Sequence, residues 1–154
     1  MNISELLKEE YILDDLKSKT KREVLVELSE VFLRESFDVD EDAIVEVLLD
    51  REKLGSTGIG DGIAIPHGKL QGLDSLILSF GRSREGVDFD ALDGRPVHIF
   101  FLLMAPDNSA GQHLKALAKI SRMLKDRAFR EELMAVETVP EIYSLIQKKD
   151  MENP

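Results

Sequence analysis

His67 stands near the end of a glycine-rich run that could place an imidazole for chemistry. The run, residues 51–69, has the sequence REKLGSTGIGDGIAIPHGK. Glycine allows backbone with φ above zero and close approach of a ligand, at a cost in folding entropy. Pro66 fixes its own φ and favours an extended residue before it, while Gly68 removes side-chain bulk after His67. The pattern predicts a short strand over Ile63-Ala64-Ile65 that ends at His67, whose imidazole is held by a backbone restricted by Pro66.

The other two histidines lie in more regular sequence. His98 belongs to an apolar stretch with the alternation of a strand, and we interpret it as structural. His113 lies in the first turns of a predicted helix, and Leu117, Ile120 and Leu124 follow it at helical spacing. We therefore expect His113 on the inward face of that helix, near its N-terminus. Spacing alone leaves open whether His113 is a packed core residue or a functional one.

Several common catalytic and binding motifs are absent around His67. The phosphate loop GxxxxGK[ST] fails because Gly62 to Gly68 is one residue too long, and GxGxxG fails because its third glycine is missing. Neither HExxH nor GxSxG occurs, and three scattered histidines without cysteine make a poor zinc set. We therefore expect neither a metal nor a cofactor.

What remains is a histidine that acts itself as the nucleophile. A neutral imidazole nitrogen attacks phosphorus well near neutral pH. A bound phosphoryl group carries about −1.5 to −2 charges, so it requires cations and N–H donors nearby. Arg51, His113 and the backbone N–H groups of the glycine run are the groups that could meet this requirement.

Composition narrows the class of protein. The chain has 154 residues, of which 43% are hydrophobic, and no cysteine, which excludes disulfides and thiolate metal sites and fits a cytoplasmic protein. Its formal net charge of −10 argues against nucleic-acid binding and favours a basic partner, unless the charge serves solubility alone. No apolar run reaches the length of a membrane span, and residues 1–11 lack a signal-peptide pattern, so we expect no membrane insertion. The length predicts a single domain over residues 1–148, followed by a polar C-terminal tail over residues 149–154.

Two predicted helices precede the glycine run, and the second of them places Arg51 at the start of the run. One extends from Thr20 to Arg34 and the other from Asp40 to Glu52, with a break at Phe37–Asp40 and capping residues at Thr20 and Asp40. Arg51 continues the buried face of the second helix into the glycine run. The alternative is that Arg51 only interacts favourably with the helix macrodipole.

Strands and helices follow the run. Strands are predicted at Leu76–Phe80 and at Val97–Met104, the second apolar on both faces, as in a central strand covered on two sides. The segment Ser83–Pro96 between them is predicted to be a connecting loop. Further helices are expected after Ser109, Asp126 and Thr138. Helices before and after a small sheet predict an α/β fold, a three-layer α/β/α sandwich.

The glycine run carries a long family pattern. Glu52 is followed by Ile59-Gly60 and then by Ile63-Ala64-Ile65-Pro66-His67-Gly68. In this pattern the chain resembles the IIA domains of the phosphoenolpyruvate-dependent sugar phosphotransferase system, of the fructose, mannitol and nitrogen-regulatory type. The resemblance extends over nearly the whole chain, including LDGRPVHIFFLLMAP and HLKALAKISRML. It implies a small mixed β-sheet flanked by helices, in agreement with the layers predicted above.

The resemblance also implies a function and a set of site residues. His67 would accept a phosphoryl group from the phosphohistidine of the small carrier HPr and pass it to a IIB domain, usually on cysteine, in the cytoplasm. Arg51 matches the arginine of the family and His113 its second active-site histidine. Asp61 falls where related domains carry an acidic residue. Ser56 and Thr57 are further candidates for supporting residues of the same site.

Three alternatives remain open. The segment GSTGIGDGIAIPHGK is similar to the nitrogen-regulatory subgroup, in which phosphorylation would control binding to target proteins, whereas LDGRPVHIFFLLMAP is closer to fructose-specific domains. The same fold also occurs in cytosolic domains of anion exchangers, so a purely structural or binding module is a second alternative. A metal-dependent hydrolase is the third and weakest.

Overall fold

The computed structural model describes residues 2–34 and 40–152. The predicted break at Phe37–Asp40 lies outside the described residues except for Asp40. Within these residues the helices are α1 (Ile3–Leu6), α2 (Lys21–Glu30), α3 (Glu41–Lys53), α4 (Ala110–Leu124), α5 (Arg127–Ala135) and α6 (Val139–Glu152). The strands in the same residues are β1 (Ile12–Leu13), β2 (Gly58–Gly60), β3 (Ile63–Ala64), β4 (His67–Leu70), β5 (Ile77–Val87) and β6 (Val97–Pro106). Short 3-10 turns at Glu9–Tyr11 and Val31–Arg34 complete these elements.

The strands of the described chain form one mixed sheet around β6. The strand order is β1-β5-β6-β3-β2, and β4 also pairs with β6. β5 is antiparallel to β6, whereas β3 and β4 are parallel to it; β1 is parallel to β5 and β2 antiparallel to β3. β3 lies opposite Ile99–Phe100 and β4 opposite Leu103–Pro106, so the two short strands follow one another along the same edge of β6.

Helices cover both faces of this sheet. A Cβ at Gly81 would lie 2.7 Å from Leu28 of α2, so this side of β5 faces α2. The next residue, Arg82, is fully buried on the opposite face, where its guanidinium donates to the carbonyl of Leu133 in α5 at 2.9 Å. Every residue of β6 except His98 is buried, because both faces of this strand are covered. The expected α/β fold, a mixed sheet between two helical layers, is confirmed.

Local capping signals gave correct helix starts. The side chains of Thr20, Asp40 and Asp126 accept hydrogen bonds from the first backbone N–H groups of α2, α3 and α5, respectively. Such caps satisfy donors that have no partner inside the helix. Ser109 occupies the corresponding position of α4, but its side chain makes no capping hydrogen bond.

Two boundaries differ from the sequence prediction. β5 extends to Val87, so Ser83–Val87 is strand rather than loop; Val87 pairs with Val97 after an irregularity in the register that follows Arg82. The predicted polar tail is helical through Glu152, because Asp150 is buried and accepts hydrogen bonds from Ser4 at the other end of the chain. In the part of the chain that the structure describes, no helix is long and apolar enough to cross a membrane.

Candidate active site

The ring of His67 has a defined partner at each nitrogen. Nδ1 lies 2.7 Å from the carbonyl oxygen of Ile65, and Nε2 lies 3.3 Å from Nε of Arg51. The carbonyl can only accept and the guanidinium can only donate, so both contacts require the tautomer with hydrogen on Nδ1 and a lone pair on Nε2. The ring is therefore neutral, and its free electron pair faces the arginine.

The backbone around His67 explains how the ring is held. His67 begins β4, instead of ending the strand before it as the sequence predicted, because Pro66 separates β3 from β4. The Pro66 carbonyl accepts from the N–H of Leu103 at 2.9 Å, which joins this break to the central strand. A Cβ at Gly68 would lie 2.5 Å from a methyl group of Val47, so glycine is required for β4 to lie against α3. This close packing brings Arg51 to His67.

Arg51 extends from the last turn of α3. Its Nε donates to His67, and its Nη1 donates to the carbonyl of Gly55 at 2.9 Å, just beyond the helix end. Arg51 thus contacts both the helix terminus and the imidazole, so the two interpretations of this residue are compatible. Among residues 2–34 and 40–152, no carboxylate forms an ion pair with it. Its positive charge is available to an anion beside Nε2.

His113 packs against the opposite side of the same site. It lies in the first turn of α4, and its ring centroid is 5.5 Å from that of His67, with the two planes at 74°. The side chain is only 7% exposed, and among the described residues its Nε2 has no hydrogen-bond partner. A buried polar nitrogen without a partner is uncommon in native proteins and calls for an explanation. A ligand on His67 would supply one.

Both imidazoles are shifted towards the neutral form. Burial lowers the pKa of His67; the hydrogen bond to Ile65 and the charge of Glu52 oppose this, while the charge of Arg51 adds to it. Burial also lowers the pKa of His113, and the proximity of His67 and Lys69 lowers it further. A lowered pKa keeps the electron pair of His67 free at neutral pH, as a nucleophile requires.

The other candidate residues occupy different positions. Ser56 donates from its hydroxyl to the carbonyl of Phe89 at 3.3 Å, and Thr57 is buried against Glu52. Asp61 lies in the turn between β2 and β3, where its N–H donates to Asp93. The structure therefore brings Arg51, His67 and His113 together, and gives Asp61 no hydrogen bond to His67.

The sheet register accounts for the separation of Asp61 from His67. β3 begins opposite Ile99 and His67 lies opposite Leu103, four residues further along β6. Four residues of strand span roughly 13 Å. His98 remains structural, with Nδ1 donating to the carbonyl of Ser83 at 2.9 Å.

One residue near the site was not assigned a role from the sequence. Glu52 is buried beside Arg51 and binds both Thr57 and Lys21. Its place at the start of the motif was visible, but its contacts depend on how the glycine run folds back on α3. In the described part of the chain, no group of three or more histidine, aspartate or glutamate side chains is arranged to hold a metal ion.

Comparison with known proteins gives one family. The family model for the phosphoenolpyruvate-dependent sugar phosphotransferase system, EIIA 2, matches residues 5–149. A nitrogen regulatory protein of Bradyrhizobium diazoefficiens is 43% identical over 146 residues, which are 95% of each chain. The fructose-specific EIIABC component of Bacillus subtilis is 37% identical over 150 residues, which are 97% of this chain and 24% of that protein.

Solved structures give the same result. The nitrogen regulatory protein IIA-Ntr of Neisseria meningitidis superposes with a TM-score of 0.88 at 37% identity, covering 94% of this chain and 98% of that one. The mannitol IIA enzyme of Escherichia coli, in complex with its phosphorylated IIB enzyme, superposes with a TM-score of 0.76 at 26% identity, covering 93% and 99%. The similarity therefore includes both regulatory and sugar-specific proteins.

Proposed function

Because the chain belongs to the EIIA 2 family of the phosphoenolpyruvate-dependent sugar phosphotransferase system, we propose that it is a phosphocarrier with His67 as the phosphoryl acceptor. The observation that carries this proposal is the state of the ring: Nδ1–H is held by Ile65, and the Nε2 lone pair faces Arg51. A neutral imidazole with one committed and one available nitrogen is a nucleophile ready for an in-line attack.

The donor we propose is the phosphohistidine of an HPr-type carrier. The lone pair of His67 Nε2 attacks the phosphorus, the nitrogen–phosphorus bond of the donor breaks, and its electron pair stays on the donor nitrogen. The donor ring carries a proton on its other nitrogen and therefore leaves as a neutral imidazole. The proton on Nδ1 stays in place, shared with the carbonyl of Ile65. No metal is needed to balance this step, since one imidazole replaces another.

Positioning and charge neutralisation then account for the rate. A transferring phosphoryl group spreads negative charge over its equatorial oxygens, and little covalent work falls to the protein. The guanidinium of Arg51 gives up its contact with Nε2 and donates to these oxygens. Nε2 of His113, which has no partner in the described chain, supplies a further donor in the tautomer or protonation state that carries hydrogen there.

The acceptor we propose is a IIB domain of the fructose or mannitol type, which makes the protein a phosphotransferase of the cytoplasm. The complex between the E. coli mannitol IIA enzyme and its phosphorylated IIB enzyme supports this partner class. A second candidate is a regulator whose phosphorylation state controls binding to target proteins. The 43% identity to a nitrogen regulatory protein favours this candidate, and the same His67 chemistry serves both.

Labelling with radioactive phosphoenolpyruvate, Enzyme I and HPr tests the shared step. We expect the wild-type chain to take up acid-labile, base-stable phosphate on His67, and His67→Ala to take up none. His98→Asn is the matched control, since Asn can keep the hydrogen bond to the Ser83 carbonyl. If His67→Ala took up phosphate at the wild-type rate, the proposal would be overturned.

The two candidate functions separate downstream of this step. Phosphorylated protein is mixed with a purified IIB domain of the fructose or mannitol type, and transfer of label to the IIB cysteine is followed. In parallel, phosphorylated and unphosphorylated forms are compared as bait for target proteins. Rapid transfer to IIB supports the sugar carrier; no transfer, together with capture that depends on phosphorylation, supports the regulator.

A further inference from the structure

Glu52 is buried next to the site without contacting the ring of His67. Its carboxylate accepts from the backbone N–H of Thr57 at 3.1 Å and from the Thr57 hydroxyl. The ammonium of Lys21 lies 3.0 Å from the same carboxylate. Three donors thus converge on one side chain that is 8% exposed. A buried carboxylate this well satisfied holds its donors in a fixed arrangement.

Thr57 connects this carboxylate to the imidazole. The carbonyl of Thr57 accepts from the N–H of Ile65 at 3.1 Å. The carbonyl of Ile65 in turn accepts from His67 Nδ1–H at 2.7 Å. Three successive hydrogen bonds, connected through the backbone of Thr57 and of Ile65, therefore lead from Glu52 to His67. We call this series the Glu52 relay.

Neighbouring residues of α3 consequently act on the two nitrogens of one ring. Arg51 contacts Nε2 directly, and Glu52 holds Thr57, whose carbonyl binds the N–H of Ile65, the residue whose own carbonyl binds Nδ1. We propose that Glu52 is a positioning residue that sets the Nδ1–H tautomer of His67. Its consequence for phosphoryl transfer rests on the proposed function, whereas its effect on the ring does not.

The alternative tautomer would disable the site. With hydrogen on Nε2 there is no lone pair at the attacking nitrogen, and the Nε–H of Arg51 would face another N–H. This tautomer predominates for histidine side chains in water. Loss of the Glu52 carboxylate would leave Thr57 with unsatisfied buried donors and Lys21 without its carboxylate. Thr57 would then hold Ile65 less firmly, and the Ile65 carbonyl would no longer be fixed against Nδ1.

Charge and hydrogen bonding can be separated at this position. The negative charge of Glu52 raises the pKa of His67, against the larger opposite effect of burial. Glu52→Gln removes the charge but keeps an oxygen for the N–H of Thr57 and an amide for its hydroxyl. Glu52→Ala removes both. A tautomer preserved by glutamine and lost with alanine therefore reports the hydrogen bonds and not the charge.

Glu27 provides a matched control. Its carboxylate accepts from the backbone N–H groups of Lys17 and Ser18 and from the Ser18 hydroxyl at 2.7 Å. It holds the segment before α2 with the same chemistry as Glu52, and none of its hydrogen bonds leads to His67. Glu27→Ala thus measures the general cost of removing a glutamate that binds backbone.

Nitrogen-15 NMR of the imidazole rings gives a readout independent of activity, since pyrrole-type and pyridine-type nitrogens have well-separated shifts. At a pH where His67 is neutral, we expect the wild type, Glu52→Gln and Glu27→Ala to show pyrrole-type Nδ1 and pyridine-type Nε2. Glu52→Ala should move both shifts towards the values of free histidine. Its phosphoryl uptake should slow by about 10-fold to 100-fold, similar to the loss when a residue that orients a metal-binding histidine is removed.

The outcomes distinguish this inference from the proposed function. An unchanged tautomer in Glu52→Ala overturns the relay even if uptake is slow. If the tautomer shifts in Glu52→Ala but the wild-type protein takes up no phosphate, the relay is supported and the phosphocarrier proposal is overturned. If Glu52→Ala does not fold, Thr57→Val is used instead, because it removes only the hydroxyl contact with Glu52. We expect this variant to show faster hydrogen exchange at the Ile65 N–H and a partial shift of the tautomer. If neither changes, the relay is overturned.

Discussion

Helix α4 takes part in two polar clusters that use their charges in opposite ways. His113 joins Arg51 and His67 at the start of the helix, and we call these three residues the acceptor site. Further along, Lys119 joins Asp150 and Ser4, and we call these the terminal clasp. The clasp pairs its charges: Lys119 Nζ lies 2.6 Å from Asp150, which also accepts from the N–H and hydroxyl of Ser4.

The two clusters differ in how their charged and polar groups are paired. In the clasp a cation and a carboxylate, each at most 5% exposed at the side chain, neutralise one another and join both ends of the chain to α4. In the acceptor site, the described residues leave Arg51 without a carboxylate and His113 Nε2 without a partner. A buried pair of opposite charges is neutralised within the protein, whereas a buried polar atom without a partner calls for an explanation. Variants in the two clusters should therefore affect different properties.

The largest effect is expected in the clasp. Asp150→Ala leaves Lys119 as a buried charge without its carboxylate, so the free energy of unfolding should fall by about 3–5 kcal/mol. Urea titration measures this, and phosphoryl uptake by the protein that remains folded should be unchanged. The double variant Lys119→Met with Asp150→Leu, which removes both charges, should recover most of the stability. A loss below about 1 kcal/mol for Asp150→Ala would remove the basis of the comparison.

Arg51→Met tests the other side of the comparison. In the proposed mechanism the guanidinium stabilises charge that develops in the transition state, so uptake should slow by about 10²-fold to 10³-fold. Stability should hardly change, because no carboxylate in the described chain loses a partner. Rapid-quench labelling and urea titration measure the two properties. Arg51→Lys keeps the charge but loses the planar donor, so its uptake rate should lie between those of the wild type and Arg51→Met. A large loss of stability in Arg51→Met would place this residue with the clasp.

His113→Ala should have a smaller effect on the same step. A hydrogen bond to a charged group contributes about 1.5–3 kcal/mol, so uptake should slow by about 10-fold to 100-fold with the fold intact. His113→Gln, which can offer an amide donor in a similar place, should recover part of the rate. Equal rates for His113→Ala and the wild type would mean that the unpartnered Nε2 has only a packing role.

The two clusters should also titrate in different pH ranges. Burial lowers the pKa of His67 and of His113, so the unfolded chain binds more protons than the folded one. The contribution of the two neutral imidazoles to stability is therefore present above their unfolded pKa of about 6.5. It is lost as the pH falls from there through their lowered folded pKa values. Burial would raise the pKa of Asp150, but the hydrogen bonds from Lys119 and Ser4 outweigh it and lower the pKa. That contribution is therefore lost only as pH falls below about 3.9.

Unfolding free energies from pH 3 to pH 8 measure both ranges. In the double variant His67→Ala with His113→Ala, we expect the unfolding free energy to depend less on pH in the upper range. In Asp150→Asn it should depend less on pH in the lower range. Uptake by the wild type should stay constant from pH 8 down to about 6.5, since His67 is already neutral there. A rate that halves near pH 6.5 would show that burial does not shift His67 in solution.

Sequence predicted the parts of this molecule that depend on local signals. The starts of α2, α3 and α5 follow from capping residues within three positions of the helix. The family resemblance named Arg51 and His113 as site residues, and both lie beside His67. The ring tautomer could not be predicted in the same way. It depends on where the Ile65 carbonyl and the Arg51 side chain end up after the run folds.

The missed boundaries depend on distant partners. The second half of β5 is polar and contains Gly86, so its pattern indicates a loop, yet it resumes pairing with β6 at Val87. The end of α6 is hydrophilic in sequence, but Asp150 is buried through contacts to residues 31 and 146 positions away, Lys119 and Ser4. No local pattern carries such information.

The smallest predicted effect concerns exposed apolar side chains beside each cluster. Leu54 follows α3 and is 84% exposed close to Arg51, and Leu114 is 68% exposed next to His113; Met151 is 74% exposed next to Asp150. Exposed leucines that flank the acceptor site offer apolar contact to a protein donor. We expect Leu54→Ala and Leu114→Ala each to raise the KM for phosphorylated HPr by a few-fold, with kcat unchanged, since most single contacts in an interface contribute below about 1 kcal/mol.

Met151→Ala is the matched control for this experiment, because it removes an equally exposed apolar side chain at the clasp. Steady-state labelling at varied donor concentration should give the wild-type KM and kcat for this variant. A change in kcat for Leu54→Ala would instead indicate that the residue helps to hold Arg51. If Met151→Ala raised KM as much as the two leucine variants, donor docking would extend over both clusters, and the division between a stabilising and a functional end of α4 would fail.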